Sequence, residues 1–180
     1  MSAGWHTAIP AAGANIRGMS HAPQQPCSNP KQHVHDPRGF ITEVATICDE
    51  RGLRLTALRQ RVLELVARSE RPVKAYDLLD QVREGEGSAA PPTVYRALDF
   101  LLANGFIHKL ESINAFIRCH HPRVQHSVPF LICDRCQRAV ELEDEEVTRL
   151  LNEQAAALGF RPQAQTLEVH GICADCGGEA

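Results

Sequence analysis

The chain has 180 residues, 43% of them hydrophobic, and a formal net charge of −3. That length holds one medium domain or two small ones, and the charge taken whole speaks against a nucleic-acid partner until it is divided by segment. No stretch has the charged start and apolar run of a signal peptide, and none approaches the roughly 18 apolar residues of a membrane span. The seven cysteines therefore read as reduced thiols of a cytoplasmic protein and not as a secreted disulfide framework. The acidic excess lies in residues 108–180, beside most of the cysteines, while residues 38–107 are balanced and rich in arginine, which allows a one-sided basic face.

Residues 1–37 contain Pro10, Pro23, Pro26, Pro30 and Pro37 among polar residues, without helical or strand periodicity, and predict a disordered arm. Its H-x-H (His33, His35) and Cys27 read as features of a polar tail sooner than as a chelating site, and Met19 is an alternative start. From Phe40 the period turns helical. Ile41, Val44, Ala45 and Cys48 share a stripe that Gly52 ends, making Cys48 a core thiol. Thr56 is the expected N-cap of a second helix burying Leu58, Val62, Leu65 and Val66. A third helix from about Ala75 is expected to bury Tyr76, Leu78, Leu79 and Val82 before the glycine-rich loop at 85–88.

Pro91-Pro92 suits the first turn of a fourth helix, in which Val94, Leu98, Leu101 and Leu102 form the apolar stripe. Arg96 then stands almost opposite the stripe, with Tyr95 on the flank. A short helix with an exposed Arg and Tyr, set after a turn behind packed helices, has the form of a helix-turn-helix reader. Arg96 could reach guanine bidentately while Thr93 and Tyr95 hold phosphates; the bland alternative is a solvated helix face.

After Asn104-Gly105 the period becomes two, predicting a hairpin with Phe106, His108 and Leu110 on one face and Ala115, Ile117 and Cys119 in the returning strand. A loop centred on Ile113-Asn114 would set His108 opposite Cys119, side chains about 5 Å apart. A helix-turn-helix followed by such a hairpin is a winged form of that motif.

Farther on, Cys133 and Cys136 form a C-x-x-C that Cys173 and Cys176 repeat. Two such turns supply the four thiolates of a closed tetrahedral zinc site, a structural arrangement and not a catalytic one; two separate redox pairs are the alternative. Between them the pattern predicts strands through Cys133 and at residues 139–143, a helix over 144–158 burying Val147, Leu150, Leu151 and Leu158, and a closing strand over 165–172. So small a unit with an apolar face suits a dimerisation module.

Six stretches carry a resemblance: RLTALR at 54–59, AYDLL at 75–79, PPTVYRAL at 91–98, GFIH at 105–108, FLICDRC at 130–136 and HGICADC at 170–176. Across about residues 40–176 the chain resembles the ferric uptake regulator (Fur) family of bacterial metal-sensing repressors, and most closely its zinc uptake regulator (Zur) branch. The resemblance implies an α+β protein, with a winged helix-turn-helix domain at 38–120 and a small α/β dimerisation domain at 121–180 stapled by the four cysteines. It implies a homodimer that binds inverted-repeat promoter DNA and represses zinc-uptake genes, with two zinc ions per chain.

Residues similar to the family's regulatory zinc ligands are His108, Cys119, His126 and Glu141, with Glu143 in reserve; each alone also reads as a core, loop or solvated residue. His126 is separated from the first C-x-x-C by Ser127–Ile132, unlike the histidine-rich run of iron- and peroxide-sensing relatives, which favours zinc over iron without excluding another divalent metal. A zinc hydrolase or deaminase finds no H-E-x-x-H and no P-C-x-x-C, so an enzyme is not expected. A zinc-stapled protein-interaction module without DNA binding remains the other alternative.

Overall fold

A computed structural model describes residues 36–178 apart from 87–89, 125, 127, 143 and 163–165. Residues 1–35 of the predicted arm, with Met19, Cys27, His33 and His35, and the reserve carboxylate Glu143 lie outside the described residues, whereas Asp36 and Pro37, the last two residues of that arm, belong to the start of the first helix.

The first helix, α1 (Pro37–Glu50), starts earlier than the apolar stripe suggests, because Asp36 caps it. The Asp36 carboxylate accepts from the backbone N–H of Arg38 and of Gly39, each at 3.0 Å, and Pro37 fits the first turn, where no helical N–H is needed. Helix α2 (Ala57–Arg68) opens at Thr56, whose hydroxyl accepts from the Arg59 N–H. A two-residue strand, β1 (Val73–Lys74), is too short to leave a period in the sequence. It leads into α3 (Ala75–Glu86) and then α4 (Pro91–Ala103), which carries Pro in its first turn. Val44, Val62, Leu63, Leu78, Val82, Val94, Leu98 and Leu101 bring the four stripes into one core. Cys48 belongs to it, and burial pushes its thiol above the ordinary value, as an apolar site does to an ionisable sulfur. The Arg59 guanidinium lies 3.7 Å from the centre of the Phe100 ring, tying α2 to α4.

Tyr76 departs from the expected core: it is 69% exposed. Leu78, Leu79 and Val82 define the buried side of α3, and Tyr76, two residues before Leu78, points well off that stripe at about 100° per residue.

Strands β2 (Ile107–Leu110) and β3 (Ala115–Arg118) form the wing, and β1 completes its sheet in the order β1-β3-β2. The register pairs His108 with Ile117, not with Cys119. The expected loop centre was off by one residue, since the turn spans Glu111–Asn114 and uses Asn114, at φ 47°, as its left-handed residue. Asn tolerates that conformation far better than Ile113 would. The correction displaces the pairing by two residues, which preserves the faces, so His108 and Cys119 still share one side of the wing. Both sides are covered: Ile107 and Phe116 meet the helical core, whereas Leu110 and Ile117 meet a second core with Phe130 and Ile132.

That second core belongs to a sheet of β4 (Phe130–Cys133), β5 (Ala139–Glu141) and β6 (Glu168–Gly171), ordered β5-β4-β6. Strand β4 is antiparallel to β5 and parallel to β6. The parallel pair needs a crossover, supplied by α5 (Glu145–Ala157), which Asp144 caps through the Glu146 N–H at 2.8 Å. A four-residue helix, α6 (Ala174–Gly177), ends the fold. The burial expected of α5 is not met within one chain: Leu150, Leu151 and Leu158 are exposed, as are Leu131, Val169 and Ile172 on or beside the sheet. Val147 is half-buried. The stripe has helical period, but no described element of the same chain covers it.

Candidate metal centres and nucleic-acid face

Because β4 and β6 run parallel, Cys133 lies beside Gly171, and both strands end at the same edge of the sheet. Each is followed by a C-x-x-C turn. The first is closed by the Gln137 N–H on the Cys133 carbonyl at 2.8 Å, with Gln137 at φ 59°. The second is closed by the Cys176 N–H on the Cys173 carbonyl at 3.0 Å. The sulfurs of Cys133, Cys136, Cys173 and Cys176 lie within 4.8 Å of one another, with Cys136 and Cys173 at 3.8 Å. The two turns thus face one point, which suits one tetrahedral ion and not two separate redox pairs. Backbone N–H groups of Cys136 and Cys173 draw the Cys133 thiol down to about 6, while hydrogen bonding with the Cys173 and Cys136 thiols pushes Cys176 up to about 12. One sulfur is readily ionised and another holds its proton, an imbalance that a dication shared by all four would remove.

The second cluster lies between the two sheets. His108 comes from β2, Cys119 follows β3, Glu141 ends β5, and His126 arrives on the connecting loop; one donor atom from each falls within 4.8 Å of the others. The Glu141 carboxylate is buried, with Oε1 2.7 Å from His126 Nε2 and 3.0 Å from His108 Nε2. Its Oε2 accepts the His120 backbone N–H at 3.1 Å and lies 3.3 Å from His120 Nδ1. Burial alone would raise the Glu141 pKa, but the close approach of the His108, His126 and His120 imidazoles outweighs it, so the carboxyl is held well below its ordinary range. Cys119, fully buried, places Sγ 3.6 Å from His126 Nε2.

Two details fit a metal here. His126 Nδ1 lies 2.8 Å from the Val124 carbonyl, so Nδ1 carries a proton and the ring is held with Nε2 facing the cluster, as in histidine ligands oriented by an outer partner. The buried His108 Nε2 makes no directed hydrogen bond despite its closeness to Glu141, as expected of a nitrogen aimed at an ion instead of a proton donor. Two imidazoles, a thiolate and a carboxylate are a donor set that zinc accepts.

The loop that delivers His126 is braced on the helical domain. Arg123 reaches Glu43 at 3.2 Å and Glu50 at 3.0 Å, and Arg51 donates to the Arg123 carbonyl at 2.9 Å. No periodic signal marks this brace, and long-range pairing is invisible in a single sequence.

On α4, Thr93, Tyr95 and Arg96 are all exposed on the side away from Val94, Leu98 and Leu101. Tyr76, at the start of α3, is a further exposed aromatic on the helix-turn-helix unit, missed because its residue type suggested a core. Among the described residues no helix is long and apolar enough to cross a membrane.

The model of the ferric uptake regulator family matches residues 50–170. The zinc uptake regulation protein of Escherichia coli K12 is 44% identical over 138 residues, covering 76% of this chain and 81% of that protein. The crystal structure of holo XcZur has 65% identity and a TM-score of 0.73, covering 78% of this chain and 98% of that one. A zinc uptake regulator complexed with zinc and DNA has 42% identity and a TM-score of 0.75, covering 78% and 94%. A family model spanning more than half of the chain and a relative 44% identical over most of its length show that the chain belongs to the ferric uptake regulator family, in which it is similar to the zinc uptake regulators.

Proposed function

We propose that this protein is a zinc-responsive transcriptional repressor, acting in the cytoplasm on genes of zinc uptake. The observation that carries the proposal is the mixed cluster. Its ligands come from both sheets, so filling it ties the winged helix-turn-helix domain (38–120) to the dimerisation domain (121–180). Cys133, Cys136, Cys173 and Cys176 hold a permanent zinc; His108, Cys119, His126 and Glu141 hold the zinc that is sensed, giving two ions per chain. Zinc in the second site neutralises the thiolate and carboxylate charge buried between the domains. A ligand shifts a conformational equilibrium only by its differential affinity for the two forms, and moving from 1:99 to 99:1 takes about 5.5 kcal/mol. A four-donor site made only in the closed form can supply that.

The exposed stripe of α5, with Leu131, Val169 and Ile172, is the surface on which a second copy docks. The dimer presents two α4 helices to successive major grooves of an inverted repeat, with Arg96 reading a base and Thr93 and Tyr95 on phosphates. The resemblance to a regulator solved with zinc and DNA supports this reading. The test is a graded chelator titration that follows zinc per chain and binding to an inverted-repeat duplex together. One ion should stay while the second leaves in step with the DNA; DNA binding that ignores the second ion would overturn the proposal.

A further inference from the structure

The wing is held at its far end as well, by groups outside the metal cluster. In the second sheet, Phe130 pairs with Glu141 on one side and Glu168 on the other, so the three side chains form one row across β5, β4 and β6. Lateral neighbours in a sheet share a face. Phe130, buried at the centre of the row, meets the His108 ring edge-on at 5.3 Å. Glu141 receives the base of the wing at the metal cluster. Glu168 receives its tip: Oε1 accepts the Glu111 N–H at 2.6 Å, and Oε2 accepts both the Ser112 N–H at 3.0 Å and the Ser112 hydroxyl.

Next to it, His170 Nε2 lies 2.9 Å from Ser112 Oγ, and its Nδ1 lies 2.9 Å from Asp134 Oδ1 within the first cysteine turn. An Asp-His-Ser chain resembles a hydrolytic triad in outline. The Ser112 hydroxyl, however, has a single proton, which goes to Glu168, so His170 is not its base. The group positions the wing. Burial opposes the Glu168 charge, but the hydrogen bonds from Ser112 and Glu111 outweigh it and hold the carboxyl below its usual range.

We propose that Glu168 is a positioning residue, a metal-independent grip on the wing tip that sets the free-zinc concentration at which the sensing site fills. The inference rests on the repressor reading above. A fork of one carboxylate on two successive backbone N–H groups and a hydroxyl needs no ion, so it favours the closed placement of the wing before zinc arrives. The apparent affinity of a site equals its intrinsic affinity times the fraction of molecules already competent. Loosening the tip lowers that fraction, so more zinc is required, while zinc-saturated protein still closes.

The experiment compares the parent with Glu168→Gln and Ser112→Ala, each carrying its cysteine-bound zinc. Hydrogen exchange at the Glu111 and Ser112 amides is read with the sensing site empty, and operator binding is followed in a zinc-buffered titration. The expected result is protected amides in the parent and rapid exchange in Glu168→Gln. The zinc midpoint of that variant moves up about tenfold, equivalent to about 1.4 kcal/mol, and operator affinity at saturating zinc stays within about threefold. Ser112→Ala, losing one arm, moves the midpoint less. Amides exchanging freely in the parent, or an unmoved midpoint in Glu168→Gln, overturn the proposal, and so does a variant that only loses thermal stability. A parent whose DNA binding ignores zinc while the amides are protected instead removes the repressor reading, and the proposed role of Glu168 in zinc response falls with it.

Discussion

The two clusters differ in where their ligands come from. Cys133, Cys136, Cys173 and Cys176 lie at one edge of one sheet, at the ends of the parallel strands β4 and β6, so an ion held there would fasten a domain to itself. His108, Cys119, His126 and Glu141 come from the wing, the connecting loop and the facing sheet, so an ion held there would fasten one domain to another. A donor set within one folding unit acts on whether that unit exists; a donor set shared by two units acts on how they are placed. The chemistry follows the same division. Four thiolates make a closed tetrahedral set suited to a structural ion, whereas two imidazoles, a thiolate and a carboxylate make a mixed set.

Substitutions sharpen this contrast, beginning with the greatest expected effect. Cys173→Ser should cost the protein its fastening ion and the fold of residues 121–178, since structural zinc sites contribute about 10–16 kcal/mol to small domains. Circular dichroism and sedimentation would show lost structure and lost dimer, and a folded dimeric variant would contradict the staple. His108→Ala should leave fold, dimer and cysteine-bound zinc intact while weakening the sensing site at least about 100-fold. Zinc-buffered operator binding reads this directly, and an unchanged midpoint would remove His108 from the ligands.

Arg96→Ala should leave both ions in place and cost about 1–3 kcal/mol of specific DNA binding, seen as a weakened footprint; unaltered discrimination between operator and random duplex would contradict a reading role. Smallest is Arg123→Ala. Its ion pairs to Glu43 and Glu50 are exposed, and such pairs are worth about 0.2–1 kcal/mol. Sensing-site affinity should fall about threefold, measured by competition with a chelating dye, and a drop as large as that of His108→Ala would mean that the loop is structural.

Much of this arrangement was legible in local chemistry. Thr56 is the expected cap of α2, Pro91-Pro92 opens α4, and the two C-x-x-C turns converge as their spacing implies. These signals survive folding because each depends on a few neighbouring residues. What escaped depends on distance. The wing register was misplaced by two residues because Asn114, not the expected loop centre, took the left-handed position. The α5 leucines are exposed in one chain because a period shows that a face is apolar but not what lies over it, and Tyr76 is exposed because it stands off the α3 stripe. Glu168 carried no signal, since an acidic residue in a half-exposed strand reads as solvated until its partners 56 and 57 residues away are known. The four residues proposed to sense zinc fall between these cases. His108 and Cys119 shared a face from strand alternation alone, whereas Glu141 and His126 needed the family resemblance.

The parallel pairing of β4 and β6 has a consequence for the unfolded chain. Cys136 and Cys173 are 37 residues apart, so an ion joining their turns closes a loop that includes the whole of α5. Treated as a cross-link, a closure of that length removes about 4 kcal/mol of configurational freedom from the denatured ensemble. This contribution does not come from any contact in the native state. Surface changes to α5 therefore leave it untouched, and a chain made without zinc meets the full entropic barrier to bringing its two knuckles together.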